Sequence, residues 1–369
     1  MATKIGIVGG GQLGRMLGLA AVPLNLSTVF LDPSASASAS VVGDVVVGAF
    51  SDPDALDALV ARCDVITYEF ENVDVAELQR IARKVPIIPS IEAVGISQQR
   101  HVEKAFFESL GLGVAPWGFA ATAADIPSAL ARSGLPAIVK TDRLGYDGKG
   151  QQRVQSAAEA TDAFVAMGEV PVCIEGWVPF DFEVSVIGSR ASDGSELVYA
   201  LTENRHRNGI LAQSRTVDGH SDIAAAARDA MQLTVRKLAY VGTLAIEFFV
   251  LGDELLVNEF APRVHNSGHW TIDGAVTSQF ANHMRAVAGL PLGDPTTRGA
   301  AGMQNFIGAM PAAAEVLAVP GATLHDYGKS SRAGRKVGHA NIVSKNPKDR
   351  DKSLDLLDSM AQDCETQPL

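Results

Sequence analysis

Two apolar runs separated by a short turn, Leu244-Ala245-Ile246-Glu247-Phe248-Phe249-Val250 and Leu255-Leu256-Val257-Asn258-Glu259-Phe260-Ala261, constrain the middle of this chain more than any other feature. Runs of this length, rich in Ile, Val and Phe, read as strands, and Leu251-Gly252-Asp253-Glu254 is a turn signal that closes them into a hairpin. Pairing Val250 with Leu256 places Glu247 directly opposite Glu259 on one face of the sheet. Two carboxylates facing each other among apolar neighbours repel. A divalent cation between them would remove that penalty, and one or two carboxylates completed by phosphate oxygens are the usual protein share of a Mg²⁺ site. The plainer alternative is a bulge that turns one of them to solvent. Asn258 adds an oxygen donor, and Arg263, His265 and His269 follow at once, which favours the metal reading.

At the N-terminus the strand Ile5-Gly6-Ile7-Val8 runs into Gly9-Gly10-Gly11-Gln12-Leu13-Gly14-Arg15-Met16. Gly9, Gly11 and Gly14 fit a glycine fingerprint that opens a helix toward a phosphate, and Thr28-Val29-Phe30-Leu31-Asp32 ends on an acid where a ribose would lie. Locally this reads as a dinucleotide fold, although any tight strand-to-helix turn wants glycine. The alternating Ser and Ala of 34–40 read as a small-residue loop. A strand over 44–47 follows, then Asp52-Pro53 as N-cap and first helical residue, then the strand Val65-Ile66-Thr67-Tyr68 ending in Glu69-Phe70-Glu71. Four strand–helix alternations in about ninety residues predict a parallel sheet, with Glu69 and Glu71 at the strand ends where ligands of such sheets gather.

A helix carrying Arg100 and Lys104 leads to a second unit. Its strand Ala137-Ile138-Val139-Lys140 ends on a cation and is followed by Gly145-Tyr146-Asp147-Gly148-Lys149-Gly150-Gln151. Glycine at this density lets backbone amides close over phosphates, and it is not the Gly-Lys-Ser/Thr pattern of a P-loop. Val172-Cys173-Ile174-Glu175-Gly176-Trp177-Val178 reads as a strand broken at glycine, a backbone edge beside an apolar wall that suits a purine. Antiparallel strands are expected at 183–187 and 197–201, joined by Asp193-Gly194, and after Asn204-Arg205-His206 a long helix opens at Ser221-Asp222. From about Pro291 a smaller unit is expected, with a strand over 305–308, a basic turn at Lys329, Arg332, Arg335 and Lys336, and a helix over 353–360.

The 369 residues exceed one ordinary core, and the boundaries fall at 1–97, 98–292 with a small subdomain near 117–180, and 293–369. Hydrophobic content of 47% with 20% charged residues describes a soluble globular protein, and a net charge of −11 argues against broad nucleic-acid or membrane-surface binding. Cys63, Cys173 and Cys364, odd in number and far apart, suit reduced thiols in the cytoplasm. No run approaches the roughly 20 apolar residues of a membrane span, and the start of the chain lacks the apolar region of a signal peptide.

Lys140, the loop 145–151, Glu175-Gly176-Trp177-Val178, Glu183, Glu247 and Asn258-Glu259 together resemble the ATP-grasp superfamily of carboxylate–amine ligases. Four further motifs in order narrow the resemblance. They are 9–16, 145–150, Arg263-Val264-His265-Asn266-Ser267-Gly268-His269-Trp270 and Gly334-Arg335-Lys336-Val337-Gly338-His339, and they resemble the 5-(carboxyamino)imidazole ribonucleotide synthases of purine biosynthesis. The resemblance covers roughly residues 1–340. It implies an α/β ATP-grasp architecture: an N-terminal Rossmann-like parallel sheet, a central α+β ATP-grasp domain and a small C-terminal domain.

The roles that follow are what the resemblance implies. The N-terminal turn would hold the phosphate end of a ribonucleotide rather than a dinucleotide. Arg100, Lys140 and His206 would meet ATP phosphates or the nucleotide, with Gly145, Tyr146, Asp147, Gly148, Lys149, Gly150 and Gln151 over the triphosphate. Glu175, Gly176, Trp177 and Val178 would bind adenine, Glu183 the ribose hydroxyls, and Asn258 and Glu259 would also line the ATP site. Glu247 and Glu259 would hold Mg²⁺. Aminoimidazole ribonucleotide would meet Gly11, Gln12, Leu13, Glu71, Tyr146, Arg263, His265, Asn266, Lys329, Arg335 and Lys336. Lys140, Asp147, Arg263 and His265 would serve catalysis, Arg263 as anchor for bicarbonate or carboxyphosphate and either His265 or Asp147 as proton acceptor. His269 has a plainer reading, as a residue that only holds its loop. Lys149 stands where many relatives place Arg, which keeps the charge and loses the bidentate fork. A homodimer is implied, and the carboxylase domain fused in fungal relatives is not expected. The alternatives are another ATP-grasp ligase with a different acceptor, an NAD-dependent oxidoreductase and a catalytically silent nucleotide-binding protein.

Overall fold

Short buried strands alternating with helices produce the expected parallel sheet at the N-terminus. In the computed structural model, which describes residues 3–145, 149–217 and 221–366, β1 (Lys4–Val8), β2 (Ser27–Asp32), β3 (Asp44–Val47) and β4 (Val65–Tyr68) lie in the order β3-β2-β1-β4, all parallel. The helix Pro53–Val60 begins as read: the Asp52 carboxylate accepts from the amides of Asp54 and Ala55, and proline takes the first turn, where no donor is needed. The C-terminal ends of β1 and β4 deliver the glycine turn and Glu69-Phe70-Glu71 to one edge.

A second sheet, ordered β5-β8-β6-β7, is antiparallel and built from β5 (Trp117–Ala120), β6 (Ala137–Thr141), β7 (Gln151–Val154) and β8 (Val172–Gly176). Helices Ile126–Ser133 and Ala157–Ala166 bury Leu130, Ala163 and Phe164 against Val139 and Ile174.

The third sheet runs β14-β13-β9-β11-β12-β15-β17-β16, with β10 paired to β9. Its strands are β9 (Phe182–Arg190), β10 (Glu196–Val198), β11 (Thr202–Arg207), β12 (Ile210–Thr216), β13 (Gly242–Leu251), β14 (Glu254–Ala261), β15 (Ala300–Ile307), β16 (Ala322–Asp326) and β17 (Lys336–Ser344). The helix Ser221–Lys237 packs Ala227, Met231 and Val235 on its β9 and β14 face.

Several readings need correction. The strand expected at 197–201 is only Glu196–Val198, and β11, β12 and β17 were not anticipated. The smaller unit expected after Pro291 shares its sheet with the central one, because β15 pairs with β12. The final helix is Pro347–Thr366, not 353–360; the apolar positions Leu354, Leu357 and Ala361 mark the part that packs, while polar residues carry it on in both directions.

One buried histidine joins two sheets. His283 Nδ1 accepts from the Thr243 amide at 3.2 Å, which leaves the proton on Nε2 for Thr67 Oγ1 at 2.8 Å. Burial lowers its pKa to about 4, so it bridges β4 to β13 as a neutral ring. Among the described residues no helix is long and apolar enough to cross a membrane.

Candidate active site

A cleft of about 390 Å³ opens where the three sheets meet, lined by Gln12, Glu71, Arg100, Glu259, Arg263 and Lys336 among others. The central hairpin supplies its floor, by a different register from the expected one. Val250 pairs with Leu255, not Leu256, because Gly252-Asp253 alone make the turn. A bulge between Phe248 and Glu247 then inserts Asn258 as the extra residue and restores Glu247 opposite Glu259. The bulge leaves Glu259 the more open carboxylate, with 44% of its side chain exposed against 11% for Glu247. Burial first and the facing Glu259 second push the Glu247 carboxyl up to about 8. Among the described residues no group of three or more His, Cys, Asp or Glu is placed to hold a metal alone. Two carboxylates with Asn258 beside them fit a cation that takes its remaining ligands from phosphates.

The helix Arg100–Ser109 is the post around which one side of the cleft is built. Arg100, Glu103 and Lys104 share one face by their i, i+3, i+4 spacing. The Asp142 carboxylate, just after β6, receives the His101 amide at 3.0 Å and His101 Nδ1 at 2.9 Å, which fixes the helix start to the base of the glycine loop. Arg100 reaches Glu259 at 3.6 Å and the Gly145 carbonyl at 3.3 Å. Glu103 accepts the Phe260 amide on β14 at 2.6 Å, and burial followed by Glu259 raises its carboxyl to about 8. Lys140 donates to Glu175 at 2.9 Å, and Lys104 lies 3.2 Å from the same oxygen.

Glu175 therefore does not extend into the cleft. Burial opposes its charge, yet Lys104 and Lys140 hold its carboxyl down to about 2. Trp177 is exposed under the Arg153 guanidinium, 4.0 Å away, while Val178 is buried. Gly150 lies in the left-handed region, φ +69°, just before Gln151 begins β7; Lys149 is exposed, and Tyr146, Asp147 and Gly148 lie outside the described residues. Glu183 pairs with His206, whose protonated form is favoured against burial by that contact and by Glu247.

On the other side of the cleft the glycine turn is closed from within. The amides of Gly11 and Gly14 donate to the two oxygens of Glu69. Burial raises the Glu69 carboxyl, with those two amides working against the rise. Gly9 sits at φ +109°, and a Cβ there would lie 2.3 Å from Glu69 Cγ, so the glycines admit this side chain. Gln12, next to Leu13 on the helix, accepts from Lys329, whose ammonium burial pushes down to about 8. Glu71 takes Arg263 Nε at 2.5 Å, and against the cost of burial this guanidinium lowers the Glu71 carboxyl. His265 is held neutral, well below the usual histidine range, by burial and then by Arg263 and Lys336; its Nδ1 accepts from the Ser267 amide at 3.3 Å. Asn266 and Asn305 exchange amide hydrogen bonds of 2.7 and 3.1 Å. Arg335 donates to Ser330 from an outer position. His269 is buried between Phe280 and His339, away from the cleft lining.

Three family models account for most of the chain: the ribonucleotide synthetase preATP-grasp domain over 1–98, the ATP-grasp domain over 105–280 and the phosphoribosylaminoimidazole carboxylase C-terminal domain over 301–353. The N5-carboxyaminoimidazole ribonucleotide synthase of Pseudomonas aeruginosa is 46% identical over 339 residues, 92% of this chain and 94% of that protein. This chain belongs to the N5-carboxyaminoimidazole ribonucleotide synthase family. The synthetase from Thermus thermophilus has the same fold, with a TM-score of 0.92 at 47% identity, covering 96% of this chain and 98% of that one. The Aspergillus clavatus synthase, solved with ADP and 5-aminoimidazole ribonucleotide, matches at TM-score 0.91 and 30% identity over 98% and 99%. Within this synthase family framework, Glu103 and Lys104 are the site residues that sequence reasoning did not assign. Their i+3 and i+4 spacing from Arg100 is the signal that could have placed them on its face of the helix.

Proposed function

We propose that this chain is an ATP-dependent ligase that joins bicarbonate to the exocyclic amine of 5-aminoimidazole ribonucleotide, giving N5-carboxyaminoimidazole ribonucleotide, ADP and phosphate. The observation that carries the reading is one cleft lined by Arg100, Glu259, Glu71 and Arg263, with Glu247 paired to Glu259 across the hairpin beneath it, in a chain whose relatives bear that name at 46% identity. Mg²⁺ fits the hairpin, where Glu247 and Glu259 would hold it and it would neutralise phosphate charge. The cytoplasmic setting rests on the scattered free thiols Cys63, Cys173 and Cys364, and the homodimer on the family resemblance alone.

The residues divide the work as follows. A bicarbonate oxygen attacks the γ-phosphorus and the bond to ADP breaks, giving carboxyphosphate. Lys140, Arg100 and the amides of 145–151 offset charge on the transferred group, where electrostatic positioning contributes most. Because the Glu175 side chain is occupied by lysines, adenine is assigned to the backbone and apolar edge of 175–178, and the ribose to Glu183. Carboxyphosphate divides into CO₂ and phosphate beside the amine. The amine nitrogen bonds the carbon and loses a proton. Arg263, oriented by Glu71, anchors the carboxyphosphate. With its Nδ1 accepting from Ser267, neutral His265 presents Nε2–H as a donor to the anion. The proton is assigned in this proposal to Asp147, which lies outside the described residues. Gln12, Lys329, Arg335 and Lys336 take the ribonucleotide phosphate.

The test is ADP release from Mg·ATP and bicarbonate, with and without the ribonucleotide, for the native chain and Glu259→Gln. Stimulation by the ribonucleotide and collapse in the variant are expected. ADP release indifferent to the ribonucleotide would move the function to another acceptor.

A further inference from the structure

The cluster beneath the glycine loop sets two lysines against one carboxylate. Lys104, Glu175 and Lys140 are 2%, 3% and 6% exposed. Both ammonium groups address Glu175 Oε2, while Glu175 Oε1 and Lys104 Nζ have no hydrogen-bond partner. Arg100, one turn before Lys104, adds a third cation, itself 3.6 Å from Glu259. The two lysines are not equivalent. Burial, then the repulsion of Arg100 and Lys104, lowers the Lys140 ammonium in spite of Glu175. Lys104 is raised against its burial, because Glu175, Cys173 and Glu103 together outweigh that cost.

A buried carboxylate with one lysine partner makes that lysine a poor ligand for anything else. If the lysine turned to a phosphate, the carboxylate would be left charged and unpaired, among the costliest arrangements in a protein interior. A second lysine on the same oxygen removes this obstacle. We propose that Lys104 is a positioning residue that keeps Glu175 paired while Lys140 transfers from Glu175 to the phosphates of bound ATP. Lys104 acts through Glu175 and touches no phosphate itself. The inference rests on the nucleotide reading above and deepens it.

The experiment measures ATP affinity of the full chain by calorimetry, without bicarbonate or ribonucleotide, for the native protein, Lys104→Met and Lys104→Arg. Adenosine, which offers Lys140 no phosphate, is titrated alongside. Lys104→Met is expected to weaken ATP by about tenfold with adenosine unchanged, and Lys104→Arg to restore most of the loss. Equal ATP affinity of Lys104→Met and the native chain would overturn the proposal, as would an equal loss for ATP and adenosine. If Lys104→Met does not fold, Glu175→Gln and the double variant Glu175→Gln/Lys104→Met decide. Without a carboxylate to keep paired, their ATP affinities should be the same, and a further loss in the double variant would overturn the hand-off. A native chain that binds no ATP is a separate result, visible in the first titration, and defeats the nucleotide reading together with this one.

Discussion

At the N-terminal glycine turn, the amides of Gly11 and Gly14 point at a carboxylate that the chain itself supplies, Glu69. At the central hairpin, Glu247 faces a second carboxylate, Glu259, across the sheet. Both are dense, buried and charge-handling, and both look like ligand sites in the sequence. The first is electrostatically finished in the folded chain. At the second, two charged carboxylates would repel, and either a proton on Glu247 or an added cation relieves that repulsion. An anion cradle filled from within needs no added charge in the folded chain, whereas a facing pair of carboxylates takes up either a proton or a cation.

The largest effect that would break this contrast is on turnover. Glu247→Gln removes one of the facing carboxylates and keeps its shape. With Mg·ATP, bicarbonate and the ribonucleotide, steady-state assay should show turnover lower by about 10²–10³-fold, the scale of losing one preorganised charge-handling group. Activity within a few-fold of the native chain would mean that the hairpin needs no cation. The same exchange at the glycine turn acts on the fold. Glu69→Gln offers one oxygen where two amides now donate and sets an NH₂ group against the other. Stability should fall by about 1–3 kcal/mol, the cost of an unsatisfied buried donor, read from the urea midpoint. An unchanged midpoint would show that the turn is not held by Glu69.

The contrast also separates what the sequence discloses from what it hides. The β1–β4 sheet was legible because its strands carry short apolar runs and the helix Pro53–Val60 opens on Asp52, which caps it as read. β11, β12 and β17 were hidden because they bury polar residues in a sheet: Asn204, Gln213, Ser214, His339 and Asn341 interrupt any apolar period. At the hairpin, the facing carboxylates were expected from a register one residue wrong at the tip, and the bulge at Asn258 brought them together. A one-residue insertion leaves no mark in apolar periodicity. Glu69 was placed at the right strand end without its partner, since a close approach between side chain and backbone 55 and 58 residues away is a tertiary fact. Glu103 and Lys104 shared the same obstacle: their helix face was visible, and what faced it was not.

The smallest effect concerns the ligand-free hairpin and has the sign opposite to that at Glu69. A carboxyl raised from 4.5 to about 8 binds its proton more tightly folded than unfolded. Its contribution to stability is therefore complete below about pH 4.5 and is lost as pH rises through about 8. Glutamine at position 247 cannot lose that proton, and the repulsion with Glu259 is gone. Above neutral pH, Glu247→Gln should be more stable than the native chain by up to about 1 kcal/mol. Its urea midpoint should also fall less steeply between pH 5 and pH 9. The slope should shrink without vanishing, because Glu103, raised to about 8 beside Glu259, keeps its own share of the alkaline loss. Parallel slopes for the two chains would mean that Glu247 carries its charge without cost, and the hairpin would then be as finished as the glycine turn.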